Sequence, residues 1–81
     1  MEFIFAPTAE EHFERLSPQA RKRIAGKMRF YAGQPDPLDF AEPLTGSMHY
    51  RFRIGDYRVI FEILHDVGWV LAIHRRDEAY R

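Results

Sequence analysis

From Met48 to Ile54 apolar and polar residues alternate with period two, with Met48, Tyr50, Phe52 and Ile54 on one side and His49, Arg51 and Arg53 on the other. That is the pattern of a half-buried strand. Gly55-Asp56 follows as a two-residue hairpin turn. The next strand, Tyr57 to Leu64, resumes the alternation, with Tyr57, Val59, Phe61 and Ile63 toward a core and Arg58, Ile60, Glu62 and Leu64 away from it. His65-Asp66-Val67-Gly68 reads as a second turn, and a last strand then runs from Trp69 to about Arg75.

The first half of the chain changes period. Glu2-Phe3-Ile4-Phe5 is a short apolar strand stopped by Pro7. Thr8 with Glu11 three residues on forms a capping box for a first helix, whose buried stripe is Ala9, Phe13 and Leu16. Ser17-Pro18 restarts the chain, since serine caps and proline fits the first helical position. A second helix from Pro18 to about Ala32 buries Ala20, Ile24, Met28 and Tyr31 and stops at Gly33. From Gly33 to Thr45, Pro35, Pro37 and Pro43 predict a connecting loop. The expected fold is α+β, one domain over residues 1–81: an N-terminal strand and a helical hairpin packed on one face of a small, mainly antiparallel four-stranded sheet.

Composition narrows the setting. At 81 residues the chain makes one small domain, and such a domain buries about 60 to 65% of the surface its unfolded chain exposes. Without cysteine it has no disulfide or thiolate metal site, and a reducing cytoplasm is the expected compartment. No apolar run reaches the length of a membrane span or a signal segment, so no membrane partner is expected. His12, His49, His65 and His74 have no ligand spacing, and neither metal nor other cofactor is predicted. The 12 basic and 12 acidic residues balance, so any face for a polyanion must be local. Residues 21 to 29 hold five bases and no acid, while Asp36, Asp39 and Glu42 fall together further on.

The hairpin brings such a face together. With Gly55-Asp56 as the loop, Arg53 lies opposite Arg58, and Arg51 shares their side. Like charges opposed across a sheet repel, and a small domain gains nothing from them unless an anion is expected. A four-residue second turn would put Arg75 opposite Arg58; an odd change in that loop would put His74 there instead. Guanidinium forks match phosphate oxygens and keep their charge, so RNA is the ligand that fits best. In the closing stretch Ile73-His74-Arg75-Arg76-Asp77-Glu78-Ala79-Tyr80-Arg81, Tyr80 offers a ring to stack on a base or a phenol for proton transfer. Imidazole, as in His74, is the side chain that ordinarily trades protons near neutral pH. Arg76 and Arg81 add to the basic end. Ile60, Leu64, Trp69, Leu71 and Ile73 form an apolar patch on the arginine face, of the kind that marks a partner surface, suited to an amphipathic helix or extended segment.

The helical hairpin, the Tyr50 to Ile63 strand pair and the His74 to Tyr80 ending together resemble the RelE/ParE toxin superfamily of toxin–antitoxin systems. The resemblance implies a toxin held inactive by a cognate antitoxin in a hetero-oligomer. On the RelE-like branch it implies a metal-independent endoribonuclease that cuts mRNA in the ribosome, a 2′-hydroxyl attacking the adjacent phosphate. The catalytic positions it implies are Arg51, Arg53, Arg58, Arg75 and Tyr80, with His74 matching relatives that use histidine. Arg76 and Arg81 join the arginines as RNA contacts, and the apolar patch from Ile60 to Ile73 is the antitoxin surface. Where such toxins often carry strand lysines, this chain has Arg51 and Arg53; guanidinium cannot act as a base, which leaves His74, Tyr80 or the ribosome to move protons. The alternatives are a ParE-like inhibitor of DNA gyrase on the same fold, or a binding module without catalysis.

Overall fold

A computed structural model describes residues 1–76. Strand β1 (Glu2–Phe5) leads into helices α1 (Pro7–Glu14) and α2 (Pro18–Ala32), then a 3-10 turn (Pro37–Phe40) and strands β2 (Glu42–Pro43), β3 (Tyr50–Ile54), β4 (Tyr57–Leu64) and β5 (Val67–Arg75). Among the described residues these strands form one sheet in the order β1-β5-β4-β3-β2, antiparallel except where β1 runs parallel to β5. The α+β architecture and the order of the long elements are as the patterning predicts. The sheet has five strands rather than four, because two residues of the proline-bearing loop, Glu42 and Pro43, pair with Arg51 and Tyr50. Proline is tolerated there because β2 is an edge strand.

Helix starts follow local chemistry, with one correction. Ser17 caps α2, its hydroxyl accepting from the Ala20 N–H at 3.1 Å. Thr8 does not cap α1: the helix begins two residues earlier than that cap would set it, at Pro7, with Ala6 at the cap position and no side-chain cap. Proline's fixed φ suits that first position and its missing N–H needs no partner. The end of α1 is closed from the next helix, where Arg21 Nη1 donates to the carbonyls of Leu16 (2.6 Å) and Glu14 (3.2 Å).

Both helices cover the same face of the sheet. Ala9, Ile24, Met28 and Tyr31 meet Phe52, Ile54, Val59, Phe61, Val70 and Ile73 in the buried core. Its centre is aromatic: Tyr31 stacks on Phe52 at 4.0 Å, Phe52 on Phe61 at 4.5 Å, and Phe3 sets its edge against both at 5.6 and 5.5 Å. Each such pair contributes about 0.5–1.5 kcal/mol beyond its buried area. Met48 does not join them. It precedes β3 and is 86% exposed, because strand pairing, and with it the alternation, begins only at Tyr50.

Candidate functional site

Strand pairing puts the arginines where the hairpin reading expects them. Arg53 faces Arg58 and Ile54 faces Tyr57 across the β3–β4 ladder, and Arg51 faces Ile60. The glycine supplies the turn, at φ +57°. These arginines lie on the face of the sheet away from the helices, and their environments differ.

Arg51 and Arg53 share one carboxylate. Arg51 Nη2 donates to Glu42 Oε2 at 3.0 Å, and Arg53 Nη1 lies 3.5 Å from Glu42 Oε1. Hydrogen bonding from Arg51 foremost, helped by the charges of Arg51 and Arg53, holds the Glu42 carboxyl below its ordinary range against an opposing desolvation. Glu42 is positioned by β2, and the sequence reading placed it in an acidic loop without linking it to the arginines.

Arg58 has no such neighbour. It is 3% exposed, the one buried charged residue among those described; no carboxylate among them pairs with it, and its Nε meets no acceptor. A buried charge is ordinarily paired because desolvation costs several kcal/mol. Arg58 is therefore a buried positive charge that no carboxylate among the described residues balances.

The β4–β5 register corrects the last strand. The second turn has two residues, not four: Leu64 pairs with Val67, and His65 and Asp66 take positive φ of 52° and 64°. Between Ile60 and Phe61 the ladder shifts by one, with Phe61 opposite Val70, Ile60 opposite Ala72, and Leu71 left over as a bulge. His74, not Arg75, consequently faces Arg58, and Arg75 faces Tyr57 on the helix-side register. A bulge turns every later side chain to the other face.

The same shift removes Ile73 from the apolar patch. Ile73 is 5% exposed within the core and pairs with Val59. Ile60 and Trp69 remain half-buried and Leu64 is 52% exposed on the face away from the helices, with the half-buried bulge Leu71 beside them. Ile4, paired with Trp69 across β1–β5, adds a residue that the sequence reading left out. Arg76 is exposed and its N–H donates to the Asp56 carbonyl at 2.6 Å. Tyr80 and Arg81 lie outside the described residues.

A second histidine reaches β5 from α1. His12 Nδ1 accepts the Ile73 N–H at 3.1 Å, and its ring centre lies 5.6 Å from that of His74. No sequence spacing announced this pair, since its members are far apart in the chain and meet because α1 flanks the end of β5.

Solved structures share this fold. The RelBE2 toxin–antitoxin complex from Mycobacterium tuberculosis matches with a TM-score of 0.77 at 23% identity, over 93% of this chain and 96% of that one. The RelB–RelE complex from Methanococcus jannaschii matches at 0.77 and 21% identity, over 95% and 94%. The isolated E. coli RelE toxin matches at 0.75 and 16% identity, over 98% and 89%. At these identities the likeness is one of fold. No curated protein sequence matches the chain. The family model for the ParE toxin of type II toxin–antitoxin systems matches residues 3–80, nearly the whole sequence, and the chain belongs to that family, within the RelE/ParE toxin superfamily.

Proposed function

We propose that this chain is a ribosome-dependent mRNA endoribonuclease, held inactive by a cognate antitoxin. The observation that carries the reading is Arg58, a buried guanidinium with no carboxylate partner among the described residues, flanked by Arg53 on one strand and His74 on the other. A phosphodiester supplies the missing anion. In the reaction the ribose 2′-oxygen attacks the adjacent phosphorus, its proton passing to a base, and the bond to the 5′-oxygen breaks as that oxygen takes a proton. The products are a 2′,3′-cyclic phosphate and a 5′-hydroxyl. Arg58, with Arg51 and Arg53, stabilises the charge gathering on the phosphoryl oxygens. His74 is the neighbour able to exchange a proton, and Tyr80 is a further candidate. Arg75 contacts RNA from the edge of the sheet rather than from the arginine cluster.

The antitoxin covers Ile4, Ile60, Leu64 and Trp69, an apolar strip running across neighbouring strands beside the arginines, so that one partner both buries the strip and blocks the site. A second reading, gyrase inhibition without cleavage, draws support from the ParE description of the matching family.

Induction of the chain in growing cells, followed by mapping of mRNA 5′ ends on translating ribosomes, tests both. New in-frame cuts that vanish in Arg58→Gln are the expected result. Growth arrest with inhibited gyrase and no cuts selects the second reading.

A further inference from the structure

β5 outlasts its neighbour. β1 pairs with it only as far as Val70, where the Ala6 N–H makes the last bond at 2.8 Å. Beyond that the chain turns into α1, and the β5 edge from Leu71 onward faces a helix instead of a strand. His12 takes the Ile73 N–H that a strand would have taken. The incomplete closure leaves a cleft of about 530 Å³ whose polar lining is His12, Arg15, Ser17, Tyr57, His74 and Arg75.

Among the described residues of that lining every ionisable group is a base or a phenol, and none is a carboxylate. Because His12 Nδ1 accepts the Ile73 N–H, a neutral His12 ring carries its proton on Nε2 and has a donor to offer. The guanidinium of the exposed Arg15 and the ring of His74, which neighbours that of His12, also line the cleft. A lining rich in donors around an open volume suits a ligand made of acceptors, and phosphate presents several such oxygens at once.

We propose that this cleft is a second phosphate subsite, holding a phosphodiester that flanks the one gripped at Arg58. His74 joins the two: it faces Arg58 in the β4–β5 ladder and also lines the cleft at the strand's edge. Single-stranded RNA then crosses the edge of β5 at His74, with one phosphate on the arginine face and the next toward α1. The inference rests on the reading of the arginine face as a nucleic-acid site.

The test uses 2′-O-methyl oligonucleotides, which bind without being cut, in an NMR titration of the full chain. A dinucleoside monophosphate reports the Arg58 site alone, and a tetranucleotide with three phosphodiesters reaches both. The tetranucleotide is expected to move the His12 ring resonances. Arg15→Gln is expected to weaken its binding about three- to tenfold and to lower the salt slope by about 0.7, the value of one phosphate contact on a single strand. The dinucleoside should bind Arg15→Gln as it binds the parent chain. If Arg58→Gln weakens both ligands while Arg15→Gln changes neither affinity nor salt slope and His12 is unmoved, the cleft is not a subsite. If Arg58→Gln leaves both ligands bound as before, or neither ligand binds the parent chain, the nucleic-acid reading of the arginine face falls and the subsite with it.

Discussion

His74 stands directly across the β4–β5 ladder from Arg58, and a single residue, the bulged Leu71, puts it there. Without the bulge the two-residue turn would set Ile73 against Arg58 and leave His74 on the helix side. The bulge thus exchanges an apolar neighbour for the imidazole beside a buried guanidinium. Bulges recur next to active sites because they re-aim side chains in this way.

Arg58 should cost the fold what it contributes to function. Its charge is buried with Nε unsatisfied, so Arg58→Met, which keeps most of the volume, is expected to raise stability by about 1–3 kcal/mol. Urea denaturation measures this. The same variant is expected to lose toxicity and oligonucleotide binding. A less stable Met variant that remained toxic would mean that Arg58 serves packing and not an anion.

The long elements and the arginine face were legible in the sequence because they depend on local pattern. Period-two alternation around Gly55-Asp56 fixes Arg53 against Arg58, and Ser17-Pro18 fixes the start of α2. The end of the sheet was not legible, because its markers mislead. Gly68 looks like a turn glycine, yet it lies in β5 beneath the Phe3 ring, while the turn itself is made by His65 and Asp66 at positive φ. Histidine and aspartate belong to the few non-glycine types that visit this region with any frequency. A bulge carries no composition signal of its own, so the side on which His74 and Arg75 fall needed coordinates. Glu42 was hidden for a related reason: its pairing to β3 spans only two residues.

Packing against Phe3 holds position 68 to glycine. A Cβ there would lie 2.4 Å from the Phe3 ring, and the ring is itself held edge-on against Phe52 and Phe61. Gly68→Ala must displace Phe3 from the aromatic centre, which is expected to destabilise the fold by about 1–3 kcal/mol. Thermal or urea unfolding checks it. A neutral result would show that Phe3 can move without loss and that Gly68 is no packing requirement.

The apolar strip gives a prediction about the partner. Leu64 is 52% exposed, so Leu64→Glu should leave stability within about 0.5 kcal/mol of the parent. If the antitoxin lies on this face, the added charge is desolvated in the complex and affinity falls at least about fivefold, as for other interface anchors worth more than 1 kcal/mol. Titration of the purified antitoxin measures it. Undiminished affinity with an intact fold would move the antitoxin to another surface.

Glu42 occupies the donors of Arg51 and Arg53 that the proposed function offers to a phosphodiester. A phosphodiester approaching them must displace a carboxylate already bonded at 3.0 Å and 3.5 Å. Glu42→Gln removes that competitor and leaves a neutral amide, so binding of a 2′-O-methyl tetranucleotide should tighten and depend more steeply on salt, because additional unneutralised guanidiniums meet the strand. The variant also carries a pH signature. The folded carboxyl titrates below its ordinary value of 4.5, so across that interval the unfolded chain binds more protons than the folded one. The stability that Glu42 contributes is therefore fully present above the ordinary glutamate range and lost as pH falls through the lowered folded value. Glu42→Gln should flatten that part of the acid limb of the stability profile while leaving its shape at neutral pH unchanged. An acid limb identical in both proteins, together with unchanged oligonucleotide affinity, would show that Glu42 does not hold the two arginines in solution.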